Sequence, residues 1–266
     1  MPPKRSERKE TDMRKMDYEQ QKGVLAVLLW PLLYISGMGL SNYIVYHGYH
    51  IEYGGDGYAN AMLPFLAVLA AGALICLFAQ RERLALPWKE RGRLSLFLIV
   101  FLPLAAMALY FLLTNGSFTN AFMAPLAAML LVGVAEETMF RRILFIRLLG
   151  LFQGQSFTKP LLISAACFSL LHAVNIFGGL PAPQVLMQIA ATFVAGLFYV
   201  LMFDYTRNIH LLIVMHFLWD YILFSGATQQ IPVYAILMGL LQVAEVIIML
   251  LLLAGKWGQN VAAERT

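Results

Sequence analysis

Polar residues in this chain of 266 residues punctuate long apolar runs instead of alternating with them, and the runs have the length that crosses a bilayer. About 20 apolar residues in a helix span the roughly 30 Å hydrocarbon core. Residues 23–46, 58–79, 94–113, 121–140, 161–177, 184–203, 209–224 and 231–254 meet that description, the fifth and seventh being the shortest. Pro31, Pro64, Pro103 and Pro125 fall within the first four runs. In a membrane they kink a helix without ending it, because neighbouring helices satisfy the carbonyls that proline leaves unpaired. The predicted fold is an all-α polytopic membrane helical bundle of about eight transmembrane helices.

Composition narrows the function classes. At 60% hydrophobic and 13% charged residues, with a mean hydropathy of +0.70, the chain is too apolar for a water-facing surface or for disorder beyond its ends. A net charge of +4 and a pI near 9.1 would suit nucleic acid, but the basic residues crowd into short segments between the runs. That distribution sets membrane orientation, so the lipid bilayer is an expected partner and nucleic acid is not. Lys4, Arg5, Arg8, Lys9, Arg14, Lys15 and Lys22 precede the first run, while 47–57 carries Glu52 and Asp56 without lysine or arginine. Alternate connections repeat the contrast. Arg81, Arg83, Lys89, Arg91 and Arg93 follow the second run, Arg141, Arg142, Arg147 and Lys159 the fourth, Arg207 the sixth and Lys256 the eighth, whereas 114–120, 178–183 and 225–230 carry none.

The positive-inside rule then puts both termini in the cytoplasm. It divides the chain into a basic cytoplasmic segment at 1–22, a transmembrane helical domain at 23–254 and a cytoplasmic tail at 255–266. The first run reads as a retained signal-anchor, longer than a secretory signal's apolar segment and without an obvious small-residue cleavage site. Basic inner loops fit a bacterial cytoplasmic membrane, or the endoplasmic reticulum in a eukaryote. Cys76 and Cys167 each lie inside an apolar run, so no disulfide framework is expected.

Ionisable side chains inside spans are costly unless paired or facing a polar cavity, which makes each a functional candidate. Glu136 and Glu137 lie near the end of the fourth run, His172 in the fifth, His216 and Asp220 in the seventh and Glu245 in the eighth. At about 1.5 Å per residue from the cytoplasmic edge, Glu136 is roughly 6 Å deep, His216 about 10 Å and His172 about 16 Å. A shared cavity in the cytoplasmic half is the expectation. Glu137 and Arg141 stand four apart on one helix face, where guanidinium neutralises carboxylate, and Glu136 points about 100° away. His216 and Asp220 are also four apart and can address one substrate atom or orient each other. Phe168 sits one turn before His172, to pack on its ring or wall the cavity.

Glu-Glu-x-x-x-Arg at 136–141, Phe-x-x-x-His at 168–172 and His-x-x-x-Asp at 216–220 together resemble the three ordered motifs of the CAAX protease and bacteriocin-processing family, also called the Abi family. The resemblance covers about 121–224, and the eight-span layout is similar to the Ras-converting branch. It implies an intramembrane endopeptidase in which Glu136 and His172 activate water for attack on a peptide carbonyl. It also makes Glu137 functionally important and puts His216 and residue 220 on the oxyanion side. The logic is physical as well: a carboxylate or imidazole accepts the water proton, and nearby donors stabilise the oxyanion. The family often has asparagine where this chain has Asp220. An ionised aspartate cannot donate as an amide does, so Asp220 is expected either to be protonated or to orient His216, and orientation is the favoured reading.

His172, His216 and Glu136 are also the two-imidazole, one-carboxylate set that holds catalytic zinc. The chain has no His-Glu-x-x-His helix that would demand zinc. Metal-free water activation is therefore favoured, with no cofactor, and zinc is the competing version. The expected partner is a peptide or membrane-protein substrate; its prenylation and the oligomeric state stay open. Two rivals use the same residues. One is a non-catalytic membrane binding or immunity protein; the other is a proton-coupled transporter, against which the absence of a visible internal repeat counts. Glu245 reads as a packing or cavity contact, Asp204, Arg207 and His210 as solvated interface residues, and His47 and His50 as outer-loop residues.

Overall fold

The structure, a computed structural model, describes the backbone of residues 5–263 apart from 89, 91 and 153–155, and the side chains of residues 20–256 apart from those and residue 121. The first four residues, the side chains of residues 5–19 and those of most of the tail lie outside the described residues. The helices are α1 (Arg5–Tyr49), α2 (Tyr58–Ala79), α3 (Ser95–Asn115), α4 (Asn120–Glu136), α5 (Ile146–Leu151), α6 (Thr158–Leu171), α7 (Ala182–Thr206), α8 (Ile209–Phe224), α9 (Ala227–Gln230) and α10 (Val233–Ala263). Among the described residues there is no strand.

Seven of the described helical stretches are long and apolar enough to cross a membrane, and α8 is apolar but shorter. Its 16 residues rise about 24 Å at 1.5 Å each, less than the roughly 30 Å hydrocarbon core. The helix is bounded on both sides by left-handed backbone, at Arg207 (φ 55°) and Gly226 (φ 77°), which an α-helix does not tolerate. Even so, α8 joins the two ends of the bundle.

One end gathers the basic connections. Gln20 donates to the Leu151 carbonyl at 2.8 Å, Arg147 to the Gln80 side chain at 3.3 Å and Arg142 to the Leu84 carbonyl at 2.7 Å. The Arg93 amide meets the Tyr205 carbonyl at 2.9 Å. Trp88 and Lys256 both reach Asp204, at 2.9 and 2.7 Å. At the other end the Tyr53 amide donates to the Gly178 carbonyl at 2.8 Å, and the Tyr53 ring packs on Phe224 at 5.9 Å. Basic and non-basic connections thus alternate between ends as the charge pattern predicts. Asp204 departs from expectation: it is the shared acceptor of two basic-end contacts, not a solvated residue.

The surface is that of a protein dissolved in lipid. Leu25, Leu33, Val68, Ile75, Phe78 and Leu113 are exposed, while Asn42, Glu137, Arg141 and Ser164 are buried. Such an inside-out distribution of polarity, with apolar helices of span length, makes the chain an integral, multi-pass membrane protein. The prolines expected inside spans do lie inside α1, α2, α3 and α4. Both cysteines are free.

The fourth span does not end near residue 140. The helical run continues as a π-helical stretch, Glu137–Phe145, and then as α5. Arg141 is consequently not in a loop but wholly buried. The widened turn leaves backbone carbonyls without their usual i+4 donors, and Ser164 on α6 supplies one, donating to the Phe140 carbonyl at 2.9 Å. The fifth span also changes form: α6 stops at Leu171, and His172–Gly178 winds as a tighter 3₁₀ helix closed by Gly179 at φ 86°.

Candidate active site

Close helix packing brings the motifs together. A side-chain carbon built on Gly133 of α4 would lie 3.0 Å from the Ile213 carbonyl oxygen of α8, and one on Gly196 of α7 would lie 3.1 Å from the Ala165 Cα of α6. Glycine at these crossings lets backbones approach where any larger residue would hold them apart. Between α4 and α8 that approach sets Glu136, just before the π-helical stretch, against His216.

A cavity of about 500 Å³ opens among α1, α2, α4, α6, α7, α8 and α10. Glu136, Phe168, His172, His216 and Asp220 line it. Glu137 and Arg141 stand behind its wall, both 0% exposed. The expected convergence of three separate spans on one polar cavity is therefore present in the structure.

His216 is the hub. Its Nδ1 is 2.7 Å from Glu137 Oε1, and its Nε2 is 3.3 Å from Asp220 Oδ2 and 3.8 Å from Glu136 Oε2. Carboxylate oxygens thus face both ring nitrogens. Glu137 Oε1 also accepts from Arg141 Nη1 at 2.9 Å, and the guanidinium lies over the Phe168 ring at 3.9 Å and near the Tyr199 ring at 5.0 Å. Phe168 and Tyr199 in turn hold the His216 ring at 6.0 and 5.4 Å. Arg141, Glu137 and His216 therefore form a buried relay of charge-assisted contacts with aromatic walls.

His172 is held differently. Its Nδ1 is 3.2 Å from the Phe168 carbonyl one turn back. A carbonyl can only accept, so Nδ1 donates and Nε2 is left as an acceptor. Phe168 also packs edge-on to the His172 ring at 5.4 Å. Packing on the ring and walling the cavity were alternatives in the sequence; Phe168 does both.

A second polar group lines the same cavity toward the non-basic end and carries no motif. Tyr58 donates to Asn42 at 2.6 Å, Asn42 to Asn175 at 3.0 Å, Asn175 to Gln188 at 2.9 Å and Gln188 to Tyr53 at 3.3 Å. Desolvation raises the Tyr53 phenol well above its ordinary range, with the Asp220 and Glu136 carboxylates adding to the effect and the Gln188 bond opposing it. The phenol therefore stays neutral and accepts from Gln188. Asn42, Asn175 and Gln188, and Gln242 of α10 on the same cavity, could have been found by extending the search from ionisable side chains to amides within the apolar runs. Tyr53 and Tyr58 carried no such signal.

Glu245 of α10 also lines the cavity, is 6% exposed, and its Oε1 has no hydrogen-bond partner among the described residues. Among the described residues no three histidine, cysteine, aspartate or glutamate side chains form a group spaced to hold a metal ion. In the intended zinc set, one His216 nitrogen is occupied by Glu137 and the other faces Asp220 and Glu136.

Residues 118–222 match the family model described as type II CAAX prenyl endopeptidase Rce1-like, which bears out the resemblance carried by the three motifs. The matched segment runs from just before α4 to near the end of α8 and contains each of the motif residues. No curated protein and no solved structure gives a significant match to the chain.

Proposed function

We propose that this chain, whose residues 118–222 match a CAAX prenyl endopeptidase family model, is an intramembrane endopeptidase that cuts a peptide bond within its bundle by metal-free activation of water. The observation that carries this reading is the joint exposure of Glu136, His172, His216 and Asp220 to one cavity inside an otherwise apolar bundle. Lipid-spanning helices do not gather such groups without a polar task.

In this reading Glu136 accepts a proton from water as the oxygen attacks the substrate carbonyl, and His172 Nε2 is the second acceptor that fixes the water. Proton acceptance in the transition state contributes typically 10²–10⁴-fold. His216, with carboxylates at both nitrogens, presents N–H donors, and Asp220 orients its Nε2 edge. As the tetrahedral oxyanion forms, the imidazole shifts its hydrogen bond toward the new charge, the kind of contact worth roughly 3–4 kcal/mol in the transition state. The proton held by Glu136 then passes to the departing amine, which balances the hydrolysis. Glu137 and Arg141 position His216 from behind and touch no substrate.

The substrate class suggested by the family is a prenylated carboxyl-terminal peptide. The test uses purified chain in liposomes with a farnesylated CAAX-type peptide, and mass spectrometry to find new termini. Glu136→Gln and His172→Ala, folded as judged by thermal unfolding, are expected to lower the cleavage rate at least about 100-fold. Undiminished cleavage by either variant removes that residue from the chemistry. A zinc chelator is expected to leave the rate unchanged; loss restored by added Zn²⁺ would replace this mechanism with the zinc version.

A further inference from the structure

Four carboxylates surround or back the cavity, and three of them have basic groups in contact. Glu137 has Arg141 and His216, and Glu136 and Asp220 flank His216 Nε2. Glu245 has no such contact among the described residues: no lysine or arginine lines the cavity, and its Oε1 has no hydrogen-bond partner. Gln242 lies one turn earlier on α10 and lines the same wall. A carboxyl group only 6% exposed that lines a cavity with an amide one turn away is costly to ionise by itself, and a cation brought beside it relieves that cost.

We infer that Glu245 and Gln242 form a specificity subsite for a lysine or arginine side chain close to the scissile bond. This inference rests on the endopeptidase reading. The carboxylate would pair with the ammonium or guanidinium, and the Gln242 carbonyl would take a second N–H. The same wall disfavours acidic residues, since Glu136, Asp220 and Glu245 all face the space the peptide would fill. Glu245 lies outside the matched segment 118–222, so the subsite is a property of this chain's last helix and not of the shared core.

The test is a matched set of farnesylated peptides differing at single positions flanking the modified cysteine, each as Lys, Gln or Glu, with kcat and KM measured for purified full-length chain in liposomes. Wild type is expected to prefer Lys over Gln at one position by about tenfold in kcat/KM, mostly through KM, as for one charge-assisted contact. In Glu245→Gln that ratio should fall to near one. Equal loss on the Lys and Gln peptides would show a structural role and overturn the proposal. So would a wild type without preference at any position, a comparison that needs no variant to fold. If wild type cuts no peptide, the endopeptidase reading fails separately, and the subsite is read from equilibrium binding of the Lys and Gln peptides, followed by the fluorescence of Trp219 on the cavity wall. A Lys preference abolished by Glu245→Gln then supports the subsite; equal binding overturns it.

Discussion

Replacing Arg141 by methionine asks whether the buried relay behind the cavity is an electrostatic unit or only packing. Both Arg141 and Glu137 are 0% exposed, with 2.9 Å between Nη1 and Oε1. Methionine keeps much of the stem volume and removes the charge. Glu137 then keeps His216 as its sole partner, with its Oε2 already lacking one. Leaving one charge of a buried pair uncompensated costs roughly 3–5 kcal/mol. Loss of the guanidinium from the Phe168 face, 3.9 Å away, adds up to about 2 kcal/mol for a desolvated contact. The double variant Glu137→Gln with Arg141→Met removes both charges, and the amide oxygen introduced at position 137 still accepts from His216. The loss in the double variant should therefore be smaller than that of Arg141→Met alone, by about 2 kcal/mol or more. Reversible unfolding in mixed micelles of rising dodecyl sulfate content, followed by fluorescence, measures both. A double variant as unstable as the single one, or more so, would refute the electrostatic account and leave Arg141 as filler between two aromatic rings.

Three further outcomes follow from single contacts. Ser164→Ala leaves the Phe140 carbonyl of the π-helical stretch without the donor 2.9 Å away, and unfolding measurements should register a loss of about 1–3 kcal/mol. Gly133→Val pushes against the Ile213 carbonyl, 3.0 Å from where the first side-chain carbon would sit; it should cost roughly 1–3 kcal/mol and lower cleavage by parting Glu136 from His216. Asp220→Asn keeps an oxygen acceptor for His216 and should hold cleavage within about tenfold of wild type, whereas Asp220→Leu, which removes the 3.3 Å partner of Nε2, should lower it about 100-fold.

Much of the bundle was legible because lipid imposes a simple rule: backbone groups must bond within the helix, so an apolar run of span length declares itself. The alternation of basic and non-basic connections was legible for the same reason, and it reappears as two ends, one held by Arg93, Asp204 and Lys256 and the other by Tyr53 and Phe224. What the runs concealed was helix continuity. Arg141 and Arg142 look like the start of a loop, yet Arg141 is buried inside a helix that passes through a π-helical stretch. Hydropathy cannot distinguish an arginine that leaves the membrane from one neutralised by a glutamate four residues back. That distinction comes from packing, through the Ser164 donor and the Phe168 and Tyr199 rings.

The candidate site divides along a similar line. Glu136, His172, His216 and Asp220 were legible because an ionisable group in a span is anomalous on its own, and because their spacing matches an ordered set of motifs. Asn42, Asn175 and Gln188 are anomalous only together: each amide alone can be a packing contact, and their meaning appears when α1, the 3₁₀ turn and α7 bring them within 3.0 Å of one another in sequence along a chain of bonds. That chain also bears on His172, because Asn175 belongs to the same 3₁₀ turn, three residues on. Fixing Asn175 from two sides fixes the turn that aims the imidazole. Glu245 escapes motif reasoning for the opposite reason: as an isolated carboxylate on a helix beyond the matched segment 118–222, it has no spacing partner. Only the cavity wall reveals that the last helix, which shares no motif with the rest, completes the polar chamber that the three motifs begin.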